Sequence, residues 1–217
     1  NGQVQTQVQV RDGVGNIIST TDANGLTVTY TYDGYGQLTD VTHNGQVTHT
    51  VYDTLGRKTS MTDPDAGTWT YVVDDLGQTI QQRSPRGTCA RTQYDARGRL
   101  WQRLDYATPD CSGNADTTSQ WDYDTLSYGV GALAQEVTNT MVGVNSVQKV
   151  LRTPTYDGYG RPIKVNTVQD NKTYVSQSSY DQYGRTFQKF FTAPGYPTTG
   201  ELYEYNANGY QSTIRSA

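Results

Sequence analysis

Three groups of side chains could do chemistry, and their spacing limits what that chemistry is. Cys89 and Cys111 are the only cysteines. In an oxidising compartment they could close a disulfide worth roughly 2–4 kcal/mol. Two free thiols are the alternative, because sequence does not fix their separation. With no CxxC pair, a cysteine metal site is not expected. His43 and His49 straddle Asn44-Gly45 and could share one hairpin. A tetrahedral zinc needs further ligands, and none is indicated. The two histidines read as surface strand residues, with no metal and no cofactor expected.

Carboxylates are plentiful, and a suitably spaced pair can hydrolyse glycosides. Most of the recurring aspartates here occupy one position of a repeated motif. A catalytic pair should appear once, whereas a structural residue recurs with the fold. An enzyme would need a one-off constellation in the irregular stretch 105–155, which holds Asp105, Asp110, Asp116, Asp122 and Glu136. These match no known geometry, so no catalytic residue is assigned. Gly13-Val14-Gly15 and Gly34-Tyr35-Gly36 are not phosphate loops, because no helix follows them. Trp69, Trp101 and Trp121 could act as glycan-stacking platforms if they face outward. Inward packing is the competing reading, because large aromatics tend to bury.

The elements that must position these residues are set by one motif: Tyr-Asp, two further residues, Gly, then Arg or Gln. It occurs at Tyr32-Asp33 with Gly36, Tyr52-Asp53 with Gly56, and Tyr94-Asp95 with Gly98. It returns at Tyr156-Asp157 with Gly160 and Tyr180-Asp181 with Gly184. Looser copies start at Arg11, Val73 and Tyr205, and Tyr123-Asp124 keeps the first half with its glycine late, at Gly129. Copies begin at positions 11, 32, 52, 73 and 94, a cadence of 20 or 21, then at 123, 156, 180 and 205. A fixed period of this length is the signature of a repeat architecture.

Each unit reads as a β-hairpin. In Leu26-Thr27-Val28-Thr29-Tyr30-Thr31-Tyr32 the apolar and threonine positions alternate, the period of a half-buried strand. Asp33 can take backbone amides to nucleate a turn, and Gly36 sits where positive φ is needed. Successive tyrosines are expected to stack into an aromatic ladder. Asn24-Gly25 and Asn44-Gly45 are expected as opposite-end turns with both residues at positive φ, giving strands of about 6–8 residues. Thr62 to Gly67 and Arg83 to Gly87 take the same role. A strand is expected from Gln3 to Val10, a loop from Ala107 to Thr118, a turn over Val142 to Ser146 and a short helix around 131–136.

This pattern resembles the YD-repeat, or RHS-repeat, family of bacterial RHS proteins, toxin-complex shell subunits and teneurins. The resemblance runs from about Arg11 to Tyr210. It implies an all-β fold: a repeat array of antiparallel β-hairpins forming a spiralling sheet, either a shell or an open solenoid-like section. It further implies a non-enzymatic structural module, enclosing or presenting a toxin or building a large secreted or cell-surface protein. Asp63-Pro64-Asp65 is similar to the segment at which some RHS proteins cleave themselves. It lies inside an ordinary repeat and reads as a turn. A surface adhesion or carbohydrate-binding module, including a self-assembling fibre, is the alternative.

Bulk composition agrees with a tyrosine-rich sheet. Of 217 residues 18 are Tyr and 22 Gly, and the apolar share of 34% is too low for an oily core. Disordered chains are poor in aromatics, which argues against disorder. Seventeen basic against 21 acidic residues leave no nucleic-acid footprint. No apolar run approaches the ~18 residues of a membrane span. The chain is expected to be a single array over 1–217 with an irregular insertion at about 105–155, and a piece of a longer polypeptide. Its expected partners are other segments of that chain or identical copies through open sheet edges, an enclosed toxin domain and glycans.

Overall fold

The computed structural model describes residues 7–143 and 145–217. Residues 3–6 of the expected first strand, and Val144 of an expected turn, lie outside them. The described residues hold eighteen strands and no helix. Each strand runs antiparallel to the next in sequence, as a ladder of hairpins requires.

Two compact units divide the chain, one of residues up to Arg91 with Tyr106–Gly113, the other of Thr92–Asp105 and Asn114–Ala217. The first contains β1 (Val8–Arg11), β2 (Ile17–Thr21), β3 (Thr27–Tyr32) and β4 (Leu38–His43). It continues through β5 (Gln46–Tyr52), β6 (Lys58–Asp63), β7 (Gly67–Val73), β8 (Thr79–Arg83) and the start of β9 (Cys89–Tyr94). The second takes the rest of β9, then β10 (Leu100–Tyr106) up to Asp105, β11 (Thr117–Tyr123), β12 (Leu133–Val142) and β13 (Asn145–Tyr156). It ends with β14 (Pro162–Gln169), β15 (Lys172–Tyr180), β16 (Thr186–Thr192), β17 (Thr199–Tyr205) and β18 (Gln211–Ser216).

The alternation read from sequence sets the faces. Along β3 the threonines are exposed while Val28, Tyr30 and Tyr32 are half-buried, and β7 repeats this with Trp69, Tyr71 and Val73. Buried hydrophobic side chains are few. Among the described residues they are Cys89, Ala90, Tyr106 and Cys111 in the first unit and Ala134 in the second. Cys89 and Cys111 form a disulfide, with Cα atoms 5.3 Å apart. Arg91 lies over the Tyr106 ring beside it.

Four sequence expectations are corrected. No helix occupies 131–136. Positive φ at Asp124, Tyr128 and Gly131 is incompatible with helical backbone, and β12 begins at Leu133. Asn24 does not share the left-handed conformation of Gly25. Asp22 instead builds a four-residue turn there, accepting the amides of Asn24 and Leu26. Asn44 and Gly45 do both have positive φ. Strands run from 4 to 12 residues, a wider range than expected. The tyrosine ladder is replaced by another arrangement, described next.

Candidate functional site

The regular copies of the motif build the same local structure. In the turn after β3, the Asp33 amide donates to the Gln37 carbonyl at 2.9 Å and the Gly36 amide to the Asp33 carbonyl at 3.1 Å. The Asp33 carboxylate Oδ1 then accepts the amides of Tyr35 and Gln37, both at 2.9 Å. Gly36, with φ of +81°, supplies the left-handed residue that closes the turn. Where the last motif position is arginine, the second carboxylate oxygen accepts its fork. Arg57 Nε and Nη2 each lie 2.7 Å from Asp53 Oδ2. Asp95–Arg99, Asp157–Arg161 and Asp181–Arg185 repeat the pair.

The tyrosine ties one unit to the one before it. Its phenol donates to the backbone carbonyl of the first residue of the preceding strand. Tyr32 reaches Ile17 at 2.9 Å, Tyr52 reaches Leu38 at 2.9 Å and Tyr123 reaches Leu100 at 2.9 Å. Tyr156 reaches Leu133 at 2.7 Å, Tyr180 reaches Pro162 at 2.9 Å and Tyr205 reaches Thr186 at 2.7 Å.

Arginine closes the staple from the other side. The Arg161 guanidinium lies 4.3 Å from the centroid of Tyr180, that of Arg185 4.2 Å from Tyr205, and that of Arg99 4.2 Å from Tyr123. This is why no tyrosine ladder forms. Consecutive motif tyrosines are two strands apart, roughly 10 Å at about 4.8 Å per strand, and the guanidinium fills the gap as a cation over the ring face. Arg57 has Val73 in place of the next tyrosine, and its Nη1 donates to the Asp74 carbonyl at 2.7 Å.

The carboxylates titrate accordingly. The Arg57 backbone amide is the largest influence holding Asp53 below the usual carboxylate value, and the Arg161 side chain does the same for Asp157. Asp124 is lowered to about 2, chiefly by Arg99 and then by the Gly131 amide. Arg99 is raised in turn by Asp124 and Asp95.

The repeat is interrupted once within the second unit, between Tyr123 and Leu133. The four-residue turn becomes a longer one, closed from the Asp124 amide to the Ala132 carbonyl at 3.1 Å. Beside it lies an open cleft of about 480 Å³, lined by Trp101, Trp121, Tyr123, Arg99, Asp122 and Gln135 among others. The β10–β11 register runs from Asp105–Thr117 to Gln102–Gln120, and Trp101 and Trp121 lie just beyond its end on these two strands. The bulge between Asp122 and Tyr123 is the kind of irregularity that re-aims side chains. Trp69 is instead on β7 in the first unit, opposite Met61.

The remaining candidates do not assemble. His49 pairs with Asp40, its Nδ1 2.6 Å from the carboxylate, whereas the register puts His43 on the other face. No group of three metal-ligating side chains occurs among the described residues. Asp105 takes the Arg103 fork, Glu136 the Arg152 guanidinium, and Asp110 the Ser112 hydroxyl and amide. Sequence reasoning missed the cross-unit staples. The acceptor is the carbonyl of the first residue after each turn, which varies in type from Ile17 to Pro162 and Thr186 and carries no signal.

Residues 11–44 and 36–68 match the RHS repeat family. No protein with a curated description matches the sequence. Among solved structures the chain is similar to a mutant form of the Photorhabdus luminescens Tc holotoxin pore. Identity there is 16%, the TM-score is 0.58, and the match covers 96% of this chain but only 13% of that one. It is also similar to TcdB2-TccC3 without its hypervariable C-terminal region, at 14% identity and a TM-score of 0.37, over 94% of this chain and 15% of that one. A porin-like protein from Bacteroides uniformis matches at 14% identity and a TM-score of 0.39, over 98% of this chain and 93% of that one. The Tc holotoxin likeness establishes a shared all-β fold. Residues 11–68 thus match the RHS repeat family, and the same staple recurs beyond them as far as Tyr205.

Proposed function

We propose that this chain is a non-enzymatic wall section of an RHS-type β-shell, one continuous array belonging to a longer secreted or surface polypeptide. The observation that carries this reading is the use made of the motif. Its tyrosine phenols hold one unit to the one before, and its aspartate oxygens and arginine forks close each turn. A chain whose recurring polar groups are committed to its own backbone is built for rigidity. The structure it resembles in fold is a toxin complex, and by that likeness the enclosed partner is a toxin domain. Further segments of the same chain would pair with its terminal strands, because an open strand edge invites pairing.

Electron microscopy of the natural particle, at a resolution that traces strands, tests the reading. A closed hollow body with density inside is the expected result. An open sheet that repeats indefinitely would overturn encapsulation and make the chain part of a fibre or surface array.

A further inference from the structure

An asparagine that precedes glycine can lose its side-chain amide, because a residue without a Cβ leaves its backbone nitrogen unhindered. Among the described residues the pairs are Asn24-Gly25, Asn44-Gly45 and Asn208-Gly209. All three asparagines are exposed, so access does not separate them. Their turns do. The Gly25 amide donates to the Asp22 carbonyl at 3.1 Å, and the Gly209 amide to the Asn206 carbonyl at 2.9 Å. Each of these bonds closes a four-residue turn. Asn44 and Gly45 instead form the two-residue turn between His43 and Gln46, with φ of +51° and +76°. Such a turn is held by the flanking pair. Among the described residues the Gly45 amide therefore has no acceptor, and a Cβ built at Gly45 would meet nothing within 4 Å.

We propose that Asn44 is a site of spontaneous deamidation, and that Asn24 and Asn208 are protected while the chain is folded. The Gly45 nitrogen gives up its proton to solvent and attacks Cγ of Asn44. A new C–N bond forms, the Cγ–Nδ2 bond breaks, and Nδ2 takes up a proton and leaves as ammonia. Water then opens the cyclic imide. If it cleaves the new Cγ–N bond, an ordinary aspartate results. If it cleaves the original backbone C–N bond, the main chain runs on through Cγ as a β-linked aspartate. Water is the only co-reactant, and nothing is oxidised or reduced. At Gly25 and Gly209 the same nitrogen must first break its bond to a carbonyl. The motif pairs Asp33-Gly34 and Asp157-Gly158 face a different restraint, because each carboxylate is committed to two backbone amides of its turn.

The two products act differently on the β4–β5 hairpin. Asp-Gly suits a two-residue turn as well as Asn-Gly does, so the ordinary aspartate keeps the fold. The β-linked residue adds a carbon to the backbone of a loop whose length sets the register. The pairs His43–Gln46 and Thr42–Val47 next to the turn are the first to be lost. The same register holds Asp40 opposite His49, whose Nδ1 lies 2.6 Å from the carboxylate. Conversion at Asn44 therefore loosens one hairpin of the first unit with time. The proposal does not rest on the shell reading, because the chemistry of this turn is the same in a wall section and in a surface module.

The test ages the 217-residue chain at neutral pH, both folded and in urea, and follows it by peptide mass spectrometry with fragment ions that separate Asn24 from Asn44. In the folded chain Asn44 should convert on the order of tenfold faster than Asn24 or Asn208, the factor set by opening one good hydrogen bond. Both aspartate and β-linked aspartate should appear there. In urea, where the closing bonds are gone, the three rates should converge. Hydrogen exchange should be faster across β4 and β5 in the β-linked fraction than in the Asn44→Asp variant. The proposal is overturned if Asn24 or Asn208 converts as fast as Asn44 in the folded chain, or if Asn44 stays intact there while the unfolded chain converts. It is equally overturned if no β-linked product forms. A β-linked fraction that exchanges no faster than Asn44→Asp would overturn the loss of register.

Discussion

The guanidinium of Arg161 lies 4.3 Å from the centre of the Tyr180 ring, one unit further along the chain. The same arginine grips Asp157 in its own turn, so one side chain serves both the turn and the joint between units. That double engagement depends on a planar fork and a flat cation together, which lysine cannot reproduce. Arg161→Lys should therefore lower the unfolding midpoint, and combining it with Tyr180→Leu should cost less than the two single losses added. A double-mutant cycle in urea measures the coupling, and strict additivity would refute the joint.

Acid should loosen the array in a defined window. Asp124 titrates at about 2 in the folded chain against an ordinary 3.8, because Arg99 and the Gly131 amide favour its charged form. A carboxyl depressed by folding stabilises above its unfolded value, and the stabilisation is lost as pH falls through its folded value. Stability should thus decline between about 4 and about 2, with the motif aspartates Asp53 and Asp157 contributing in the same direction. Circular dichroism melts across that range check it, and Asp124→Asn should flatten the lower part of the curve.

Reducing the disulfide should cost the first unit more than any single side chain. Cys89 and Cys111 are each 3% exposed and, with Ala90 and Tyr106, are the buried apolar residues among those described in that unit. Opening a loop that spans 22 residues is worth roughly 2–4 kcal/mol. Melting with and without reductant measures the loss, and Cys111→Ser should reproduce it. Limited proteolysis of the reduced chain should begin between Tyr106 and Asp116.

Two glycines separate backbone strain from crowding. Gly77 has φ of +82° and open space around it, so Gly77→Ala should cost only the left-handed penalty, roughly 1–2 kcal/mol. Gly67 has φ of +77°, but a Cβ there would stand 2.6 Å from Cβ of Pro85. Gly67→Ala should be clearly the more destabilising, and equal unfolding midpoints would contradict the close approach of these successive turns.

Local rules made the hairpins legible. Alternation placed Val28 and Tyr30 on one face, and the positive φ of Gly36 followed from its place in the turn. Relations between units were not legible. The acceptors of the tyrosine phenols are backbone carbonyls at Ile17, Leu38 and Pro162, whose side chains announce nothing. The expected tyrosine ladder failed because each neighbouring strand of the array comes between successive motif tyrosines. The helix expected at 131–136 failed because Gly131 and Tyr128 take left-handed conformations within a turn anchored by Asp124. That Trp101 and Trp121 line one cleft depends on the pairing of β10 with β11, which spacing across a long irregular loop does not supply.

The motif tyrosines act as structural staples of equal standing. Tyr→Phe removes one phenol hydroxyl and leaves the ring in place, so the urea unfolding free energies of Tyr52→Phe, Tyr156→Phe and Tyr205→Phe test it most directly. Each lost bond, 2.9, 2.7 and 2.7 Å in length, should cost about 0.5–1.5 kcal/mol. Similar losses at all three positions are the predicted result. No loss at any of them, or a loss at one alone, would show that the phenols do not staple the units.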